Sequence, residues 1–535
     1  MIARTVLLRG GSIHSPADPF ATAMLVDGDV VAWLGGEAAA DWYAEGVDEV
    51  VHLEGALVTP AFTDAHVHAT GTGISLTGLD LSGCASLVEA LDRVERHVRE
   101  RRGGVVLGEG WDETRWPERR PPRREELDRA SYGGVVQLNR VDGHSSVVSS
   151  ALVAAAPELR ATDGWSRDGP LMRAAHHVAR RVARESLTAR DRLHLQRAML
   201  RRAAEVGIGC VHECGGPDIA GEEDFTALLG LAGTEALPEV LGYWGELGAI
   251  DKARDLGAHA VGGDLFVDGS IGSRTAFLGE PYTDSGTRGH CYLDAREIAA
   301  HLVGCTAAGM QAGFHAIGDA ALRTVLDGCL AAASEIGRDR LRAGRHRVEH
   351  AEILDAAGVA RFAELGLLAS VQPAFDALWG GTDGMYAERL GAERALGLNP
   401  FASLAAAGVP LAFGSDSPVT PLDPWGTIRA AAFHRVPAQR LTVRAAFAAH
   451  TRGGWRAARR DDAGLLAPGA AATYAVWRTG DLVVQTPDER VAAWSTDPRA
   501  GVPGLPDVSP GGELPTCLRT VVRGRVVHDV QGAFT

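Results

Sequence analysis

The chain has almost no lysine. Lys252 is the only one; every other fixed positive charge is an arginine. Chemistry that depends on a lysine side chain therefore has a single candidate. Long apolar runs are missing too. None approaches the roughly 18 residues that a membrane-spanning helix requires. The start, Met-Ile-Ala-Arg and then the strand-like "TVLLRG", lacks the apolar core of a signal peptide, so a cytoplasmic protein without membrane contact is expected. The seven cysteines are odd in number and scattered, which argues against a disulfide framework and for a reducing compartment. Net positive charge is absent: the formal charge is −15, which disfavours attraction to nucleic acid or an anionic membrane. No G-x-S-x-G occurs, and the serines of "GSIGS" and "GSDSP" do not build a nucleophile elbow.

What is present is the composition of a globular protein, 46% apolar and 23% charged over 535 residues. That length exceeds one ordinary core, so a large domain with a smaller companion, or several domains, is expected. Residues 1–58 carry short strand patterns, among them "AMLVDGDVVAWLG", a hairpin around Asp27-Gly28. The far end, 456–535, repeats this character in "ATYAVWR", "DLVV" and "LRTVVRGRVVHD", with a Pro- and Gly-rich loop over 496–515. Two β-rich ends around a different middle predict one small composite β-sandwich built from 1–58 and 456–535.

The middle, 59–455, alternates strand and helix signals. "SLVEALDRVERHVRERR" at 86–102 has the apolar spacing of an amphipathic helix, with Ser86 and Glu89 as a capping box. "VVLG", "IGCVH", "PEVLGY", "DLFVDG", "QAGFH", "RHRVEH", "LLASVQ" and "PLAFGSD" read as strands, with helix-like stretches at 296–308, 319–334, 355–365 and 400–407. This alternation predicts an α/β protein with a parallel sheet, a (β/α)₈ TIM barrel with insertions. The tract "ETRWPERRPPRREE" at 113–126 mixes acids with its arginines and reads as a solvated loop. Cys210 and Cys214 lack a second pair and read as structural, and His176-His177 in a helical stretch as surface.

Polar residues recur where apolar runs end. "VTPAFTDAHVHAT" brings Asp64, His66 and His68 at alternate positions, the period at which a strand points side chains one way. "AGFHAIGDAA" ends a strand at His315, "RVEHAE" at His350 and "LAFGSDSP" at Asp416. In barrel enzymes the C-terminal strand ends form the active face. His315 and His350 are one βα unit apart, and His350 and Asp416 about two. Singly, each histidine has an ordinary explanation as a hydrogen-bonded core group. Together, His66, His68, His315, His350 and Asp416 at one mouth suit a divalent ion such as zinc.

Further stretches extend the pattern: "TPAFTDAHVH", "GEGWDETRWP", "LNRVDGHSS", "DGSIGSRTA", "HAIGDAA", "VEHAEI", "SVQP", "GSDSPV" and "VVRGRVVHD". With these motifs the chain resembles the amidohydrolase superfamily, in the YtcJ-like branch that includes N-substituted formamide deformylases. The resemblance implies a metal-bearing barrel, a composite β-sandwich, and hydrolysis of a non-peptide C–N bond in a small amide. It implies His66, His68, His315, His350 and Asp416 as the metal site, with Asp416 as proton shuttle and His315 or His350 assisting at the oxyanion. Asp64 is expected to orient a ligand or the loop. Trp111, Asp112, His144, Asp268 and Arg274 fall in motifs near the mouth and are candidates for substrate binding; Trp116, Phe375 and Trp379 are candidates for an apolar lid. One departure stands out. Many relatives have a lysine four residues before the "DGS" aspartate, and here that position is Asp264. Lys252, in a helical stretch, is a poor substitute. One ion is therefore favoured over two, with Glu213 and Asp264 as candidates for a bridging carboxylate. A deaminase or cyclic-amide hydrolase on the same scaffold, or a degenerate regulatory or binding protein, are the alternatives. A homodimer is compatible with the sequence, and no partner beyond a small amide is called for.

Overall fold

The computed structural model describes residues 4–101, 104–485, 494–495 and 503–534. Eight parallel strands form one sheet: β1 (Phe62–Val67), β2 (Ile208–Gly215), β3 (Glu239–Trp244), β4 (Ala260–Val261), β5 (Gln311–Ala316), β6 (Arg347–His350), β7 (Leu368–Val371) and β8 (Leu411–Phe413). Their residues are buried nearly throughout because both faces are covered, inside by the barrel and outside by helices. The first and last strands meet just beyond their ends. Asp416 N donates to His66 O at 2.8 Å, and His68 N donates to Ser417 O at 2.9 Å. The barrel is thus closed at the edge that carries three of the predicted site residues.

The expected helices lie between the strands, at Ala295–Ala307, Asp319–Ile336, Ala356–Leu365 and Phe401–Ala406. Lys252 sits in the helix Ile250–Asp255, where its ammonium pairs with Glu222 and Glu246.

Two expectations within the barrel are corrected. "VVLG" is not a barrel strand. Val106–Trp111 belongs to a separate five-stranded sheet with Leu79–Asp80, Val136–Arg140, Ser145–Val148 and Leu171–Met172, inserted between β1 and β2. This sheet has its own apolar core around Leu87, Val94, Trp111, Trp116 and Leu138. "DLFVDG" is not a regular strand either. The strand there is only Ala260–Val261, and Gly262 and Gly263 end it at φ +145° and +79°. A Cβ on Gly262 would stand 2.2 Å from Gly313 N, so only glycine fits against β5. This kink turns the next residue, Asp264, out of the strand path.

The chain ends share a sheet. Ser12–Ile13 pairs with Leu57–Pro60, which pairs with Tyr474–Arg478; that strand pairs with Thr516–Val522, the first arm of a hairpin closed by Arg525–Asp529. A four-stranded sheet from Thr5–Arg9, Ala23–Asp27, Val30–Gly35 and Glu49–His52 packs on it through Leu8, Met24, Val31, Val58, Tyr474 and Val476. Trp477 joins this region to the barrel: its Nε1 donates to Thr59 Oγ1 at 2.8 Å, and its ring meets Phe62 and Trp425 edge-on. Residues 496–502 of the expected loop lie outside the described residues. Among the described residues no helix is long and apolar enough to cross a membrane.

A buried histidine far from the strand mouths makes stability depend on pH. His346 Nδ1 accepts from Ala312 N at 2.9 Å, and its Nε2 lies 3.1 Å from Thr306 Oγ1. Burial, chiefly, pushes its pKa down to about 3. The unfolded ring titrates near 6.5, so the unfolded chain takes up a proton that the folded chain refuses. The stabilising contribution is therefore whole above about pH 6.5 and is lost as pH falls toward 3. At about pH 5 the loss is about 2 kcal/mol. His346→Asn keeps an acceptor but does not titrate. Its stability deficit against the wild type, measured by denaturant titration, is expected to shrink by about 2 kcal/mol between about pH 7.5 and pH 5. A deficit that does not change with pH would contradict this.

Candidate active site

The strand ends bring His66, His68, His315, His350 and Asp416 together at one mouth, and the Gly262-Gly263 kink adds Asp264. His66 Nε2 lies 3.4 Å from Asp264 Oδ1 and 3.6 Å from Asp416 Oδ1. His68 Nε2 lies 3.2 Å from Asp264 Oδ2 and 3.1 Å from Asp416 Oδ1. His350 Nε2 is 3.9 Å from Asp264 Oδ1, and its ring is 4.5 Å from that of His315. His350 and Asp416 hold φ of +70° and +55°. Such backbone is uncommon outside glycine and clusters at functional sites, where the surroundings hold it in place.

The far side of each ring fixes its tautomer. His66 Nδ1 faces Glu349 Oε2 at 2.9 Å, His68 Nδ1 faces the Cys214 carbonyl at 3.0 Å, and His350 Nδ1 faces Gln372 Oε1 at 2.8 Å. Carbonyl and carboxylate oxygens only accept, so each Nδ1 carries the proton. Each Nε2 then faces Asp264, and those of His66 and His68 face Asp416 as well, with room for a proton or a cation between. Lone pairs against carboxylates repel unless something positive lies between them. His66 Nε2 and Asp264 Oδ1 are buried with no hydrogen-bond partner.

The electrostatics agree. Burial works against charge on His66 and His68. Around His66 the groups Cys214, Asp264 and Asp416 outweigh burial and hold its pKa well above the ordinary imidazole value. Around His68 the two carboxylates push it up to about 9. Burial, with His315 nearby, keeps His350 well below the ordinary value. The donor set fits a divalent cation: imidazole nitrogens and carboxylate oxygens bind zinc at about 2.0–2.2 Å, which places neighbouring donors roughly 3–4 Å apart. Every trio of donors close enough to share an ion, among the described residues, includes His66.

His66 is braced in depth. Glu349 accepts from the buried Arg347 (Nη2–Oε2 2.7 Å), which also donates to the Ala65 carbonyl and to Ser370 Oγ and lies over the Tyr243 ring. Oriented this way, a ligand ring loses little entropy on binding. Glu349→Gln is expected to weaken zinc binding about 10–100-fold in a competitive chelator titration. Unchanged affinity would remove Glu349 from this role.

The other predicted residues divide. His144 lines the pocket beside His68, His315 and Asp416, its ring 5.0 Å from that of His315, and burial pushes its pKa down to about 3. Asp64 accepts from Ser415 N at 2.9 Å and clamps β1 to the loop after β8. Glu213 accepts from Ala69 N at 2.8 Å and holds the turn after His68. Of the two carboxylates weighed for the bridging position, Asp264 is the one placed between His66, His68 and His350.

Four candidates for substrate contact have other partners. Asp268 is fully buried and accepts from Phe277, Ile317 and Gly318 backbone N–H groups, with His315 Nδ1 at 3.6 Å. It fixes the loop under His315. Trp111 packs in the inserted core and donates to the Leu138 carbonyl. Asp112 caps a turn through Thr114 N and pairs with Arg140 at 3.2 Å, at the edge of an adjoining cleft. Arg274 pairs with Asp284 at 2.6 Å, because its left-handed backbone (φ +57°) turns it back along its own loop. Of the lid candidates, Trp116 lies in the inserted core, Phe375 stacks on His350 at 6.0 Å, and Trp379 lines the adjoining cleft.

The reading of His176-His177 as surface is overturned. Their helix, Arg173–Arg184, lies between the inserted sheet and the barrel mouth. His176 is buried against Ser146 Oγ, and His177 stacks on Phe266 at 5.5 Å. Sequence reasoning passed over Glu349 and Gln372 although both stand in quoted motifs. Their signal was position, directly beside or opposite a predicted ligand. Cys210 and Cys214 are buried free thiols, as expected of structural cysteines.

The sequence model of the amidohydrolase family matches residues 49–528. The chain is 28% identical over 522 residues to Protein LONG AFTER FAR-RED 3 of Arabidopsis thaliana, covering 89% of this chain and 88% of the plant protein. It is 25% identical over 434 residues to the N-substituted formamide deformylase of Arthrobacter pascens, covering 74% and 77%. Among solved structures it is similar to an uncharacterized metal-dependent hydrolase from Pyrococcus furiosus, with 29% identity, a TM-score of 0.69, and coverage of 88% of this chain and 98% of that one.

Proposed function

Because this chain belongs to the amidohydrolase family, we propose that it is a metal-dependent hydrolase that cleaves a non-peptide C–N bond in a small amide, N-substituted formamides included. One observation carries the reading: three imidazole Nε2 atoms and two carboxylates converge with no hydrogen-bond partner for His66 Nε2 or Asp264 Oδ1. His66, His68, Asp264 and Asp416 would hold one divalent ion, zinc by their donor chemistry. Such an ion supplies Lewis acidity, polarising a carbonyl oxygen and making water a nucleophile near neutral pH.

The rest falls to the chain's own groups. Asp416 takes the proton from the attacking water and returns it to the leaving nitrogen, as base and then acid. His315, held from behind by the Asp268 loop, lines the pocket and hydrogen-bonds the oxygen on which charge develops. Phe375, flat against His350, keeps water off that side. Residues 59–455 form the catalytic barrel in this reading, and 1–58 with 456–535 form a composite β-sandwich bracing it. The sheet shared by both ends supports that division. Seven free thiols fit a cytoplasmic setting, and the net negative charge fits a small-molecule substrate over nucleic acid.

The test pairs metal analysis with a panel of formamides, acyl amides and aminated heterocycles. Hydrolysis of amides or formamides that is lost on chelation and restored by zinc is the expected result. Turnover confined to the aminated heterocycles, or a purified chain without affinity for divalent ions, would overturn it.

A further inference from the structure

The mouth of the barrel carries a positive group that none of these steps uses. Arg180, on the helix Arg173–Arg184, is only 7% exposed. It lines the same pocket as His68, Asp264, His315 and Asp416. Its Nη2 meets the Asp218 carbonyl and His177 Nδ1 (3.1 Å). Its Nε is buried with no hydrogen-bond partner, and among the described residues no carboxylate lies within 4.0 Å of it. Arg184, one turn on, also lines the pocket; it donates to the Ile219 carbonyl at 2.6 Å and reaches Glu109 only at 4.0 Å. Glu109 is itself engaged by Asn139 Nδ2 at 2.9 Å. Both guanidiniums thus line the pocket without a close ion pair: Glu109 stands 4.0 Å from Arg184, and Asp218, Glu109 and Asp264 act on Arg180 only from farther away.

A buried guanidinium without a counter-ion is costly, by several kcal/mol. One carbonyl and one imidazole nitrogen position Arg180 without neutralising it. Burial and the neighbouring Arg184 push its pKa down to about 10, which still leaves it charged at neutral pH. The planar fork of arginine matches a carboxylate. A monoanion suits the site better than a dianion, which would meet Asp264 and Asp416 in the same pocket.

We propose that the substrate is an anionic amide whose carboxylate is bound by Arg180, with Arg184 in support, on the wall facing His68, Asp264 and Asp416. This rests on the hydrolase reading and narrows its substrate class. Arg180 selects and orients: with the carboxylate fixed, the scissile carbonyl is presented to the acidic cluster. The remainder of the substrate extends into the adjoining cleft, whose wall includes Leu76, Leu378, Trp379 and Met385, so an apolar substituent is favoured there.

The probes are N-acetylphenylalanine and its neutral carboxamide, with binding measured by calorimetry on zinc-loaded and on chelator-treated full-length chain. The acid is expected to bind at least tenfold more tightly than the carboxamide in both forms. Arg180→Met should bring the two within about twofold. Arg180→Lys, which keeps the charge but loses the fork, should retain part of the preference and guards against a methionine variant that fails to fold. Equal binding of acid and carboxamide by the wild type overturns the proposal. So does a preference that survives intact in either variant. The two readings fail separately: a zinc-loaded chain that turns over no amide yet keeps the Arg180-dependent preference sinks the hydrolase, whereas brisk hydrolysis of neutral amides without that preference sinks only the carboxylate site.

Discussion

Asp264→Asn is expected to yield a folded chain that retains little divalent metal and hydrolyses amides at least about 10³-fold more slowly than the wild type. Asp264 is the carboxylate that three Nε2 atoms face, at 3.4, 3.2 and 3.9 Å from His66, His68 and His350. Asparagine keeps the size and one oxygen but removes the charge that offsets a dication. The three lone pairs then converge on an amide. Removing a ligand should cost more than the 10–100-fold typical of a group that only orients one. Glu213→Gln is the control: Glu213 accepts from Ala69 N, so its amide still packs there and metal content should hold. Metal-to-protein ratios by atomic emission, taken with single-substrate rates, decide the matter. A normal ratio in Asp264→Asn, or a lost ratio in Glu213→Gln, would move the centre away from Asp264.

Asp264 also marks the limit of what the sequence made legible. The strands were readable because each is a short apolar run closed by a polar residue, and that same signal located His66, His68, His315, His350 and Asp416. The pattern works because barrel strands are buried along their length and become polar only at the mouth. Asp264 carries no such signal. It follows a two-residue strand and two glycines, and its place in the cluster depends on the left-handed turn at Gly263 and the close approach of Gly262 to Gly313. Periodicity, which suggested a strand through "DLFVDG", is blind to a kink of that kind.

The inserted sheet was hidden for a related reason. A strand such as Val106–Trp111 looks the same whether it pairs within the barrel or outside it, and pairing is a long-range property. His176 and His177 show the converse. Adjacent residues on a helix do face apart, but this helix is covered on two sides, so facing apart did not mean facing water. Arg274 and Arg180 lie in an arginine-rich chain where composition cannot separate a paired guanidinium from an unpaired one. Only the position of Asp284 for the first, and the lack of a carboxylate in ion-pair contact among the described residues for the second, tells them apart.

Asp416→Asn should weaken zinc binding, as loss of a ligand does, and, assayed at saturating zinc, should lower kcat by about 10²–10⁴-fold with KM little changed. The carboxylate stands 3.1 Å from His68 Nε2 and 3.6 Å from His66 Nε2 and opens onto the pocket, so it lies within reach of both an attacking water and a leaving nitrogen. Its backbone at φ +55° is a conformation that asparagine adopts more readily than most residues, so the loop and the Asp416 N to His66 O hydrogen bond should survive. His66, His68 and Asp264 remain to hold the ion. What is lost is a group able to accept a proton and then give it up. That predicts a signature beyond the rate. A leaving group that needs no protonation, such as a nitroanilide, should suffer least, and an alkylamine most, because only the second requires an acid at nitrogen. A uniform loss across both leaving groups at saturating zinc would make Asp416 a ligand alone and assign the proton transfer to another residue.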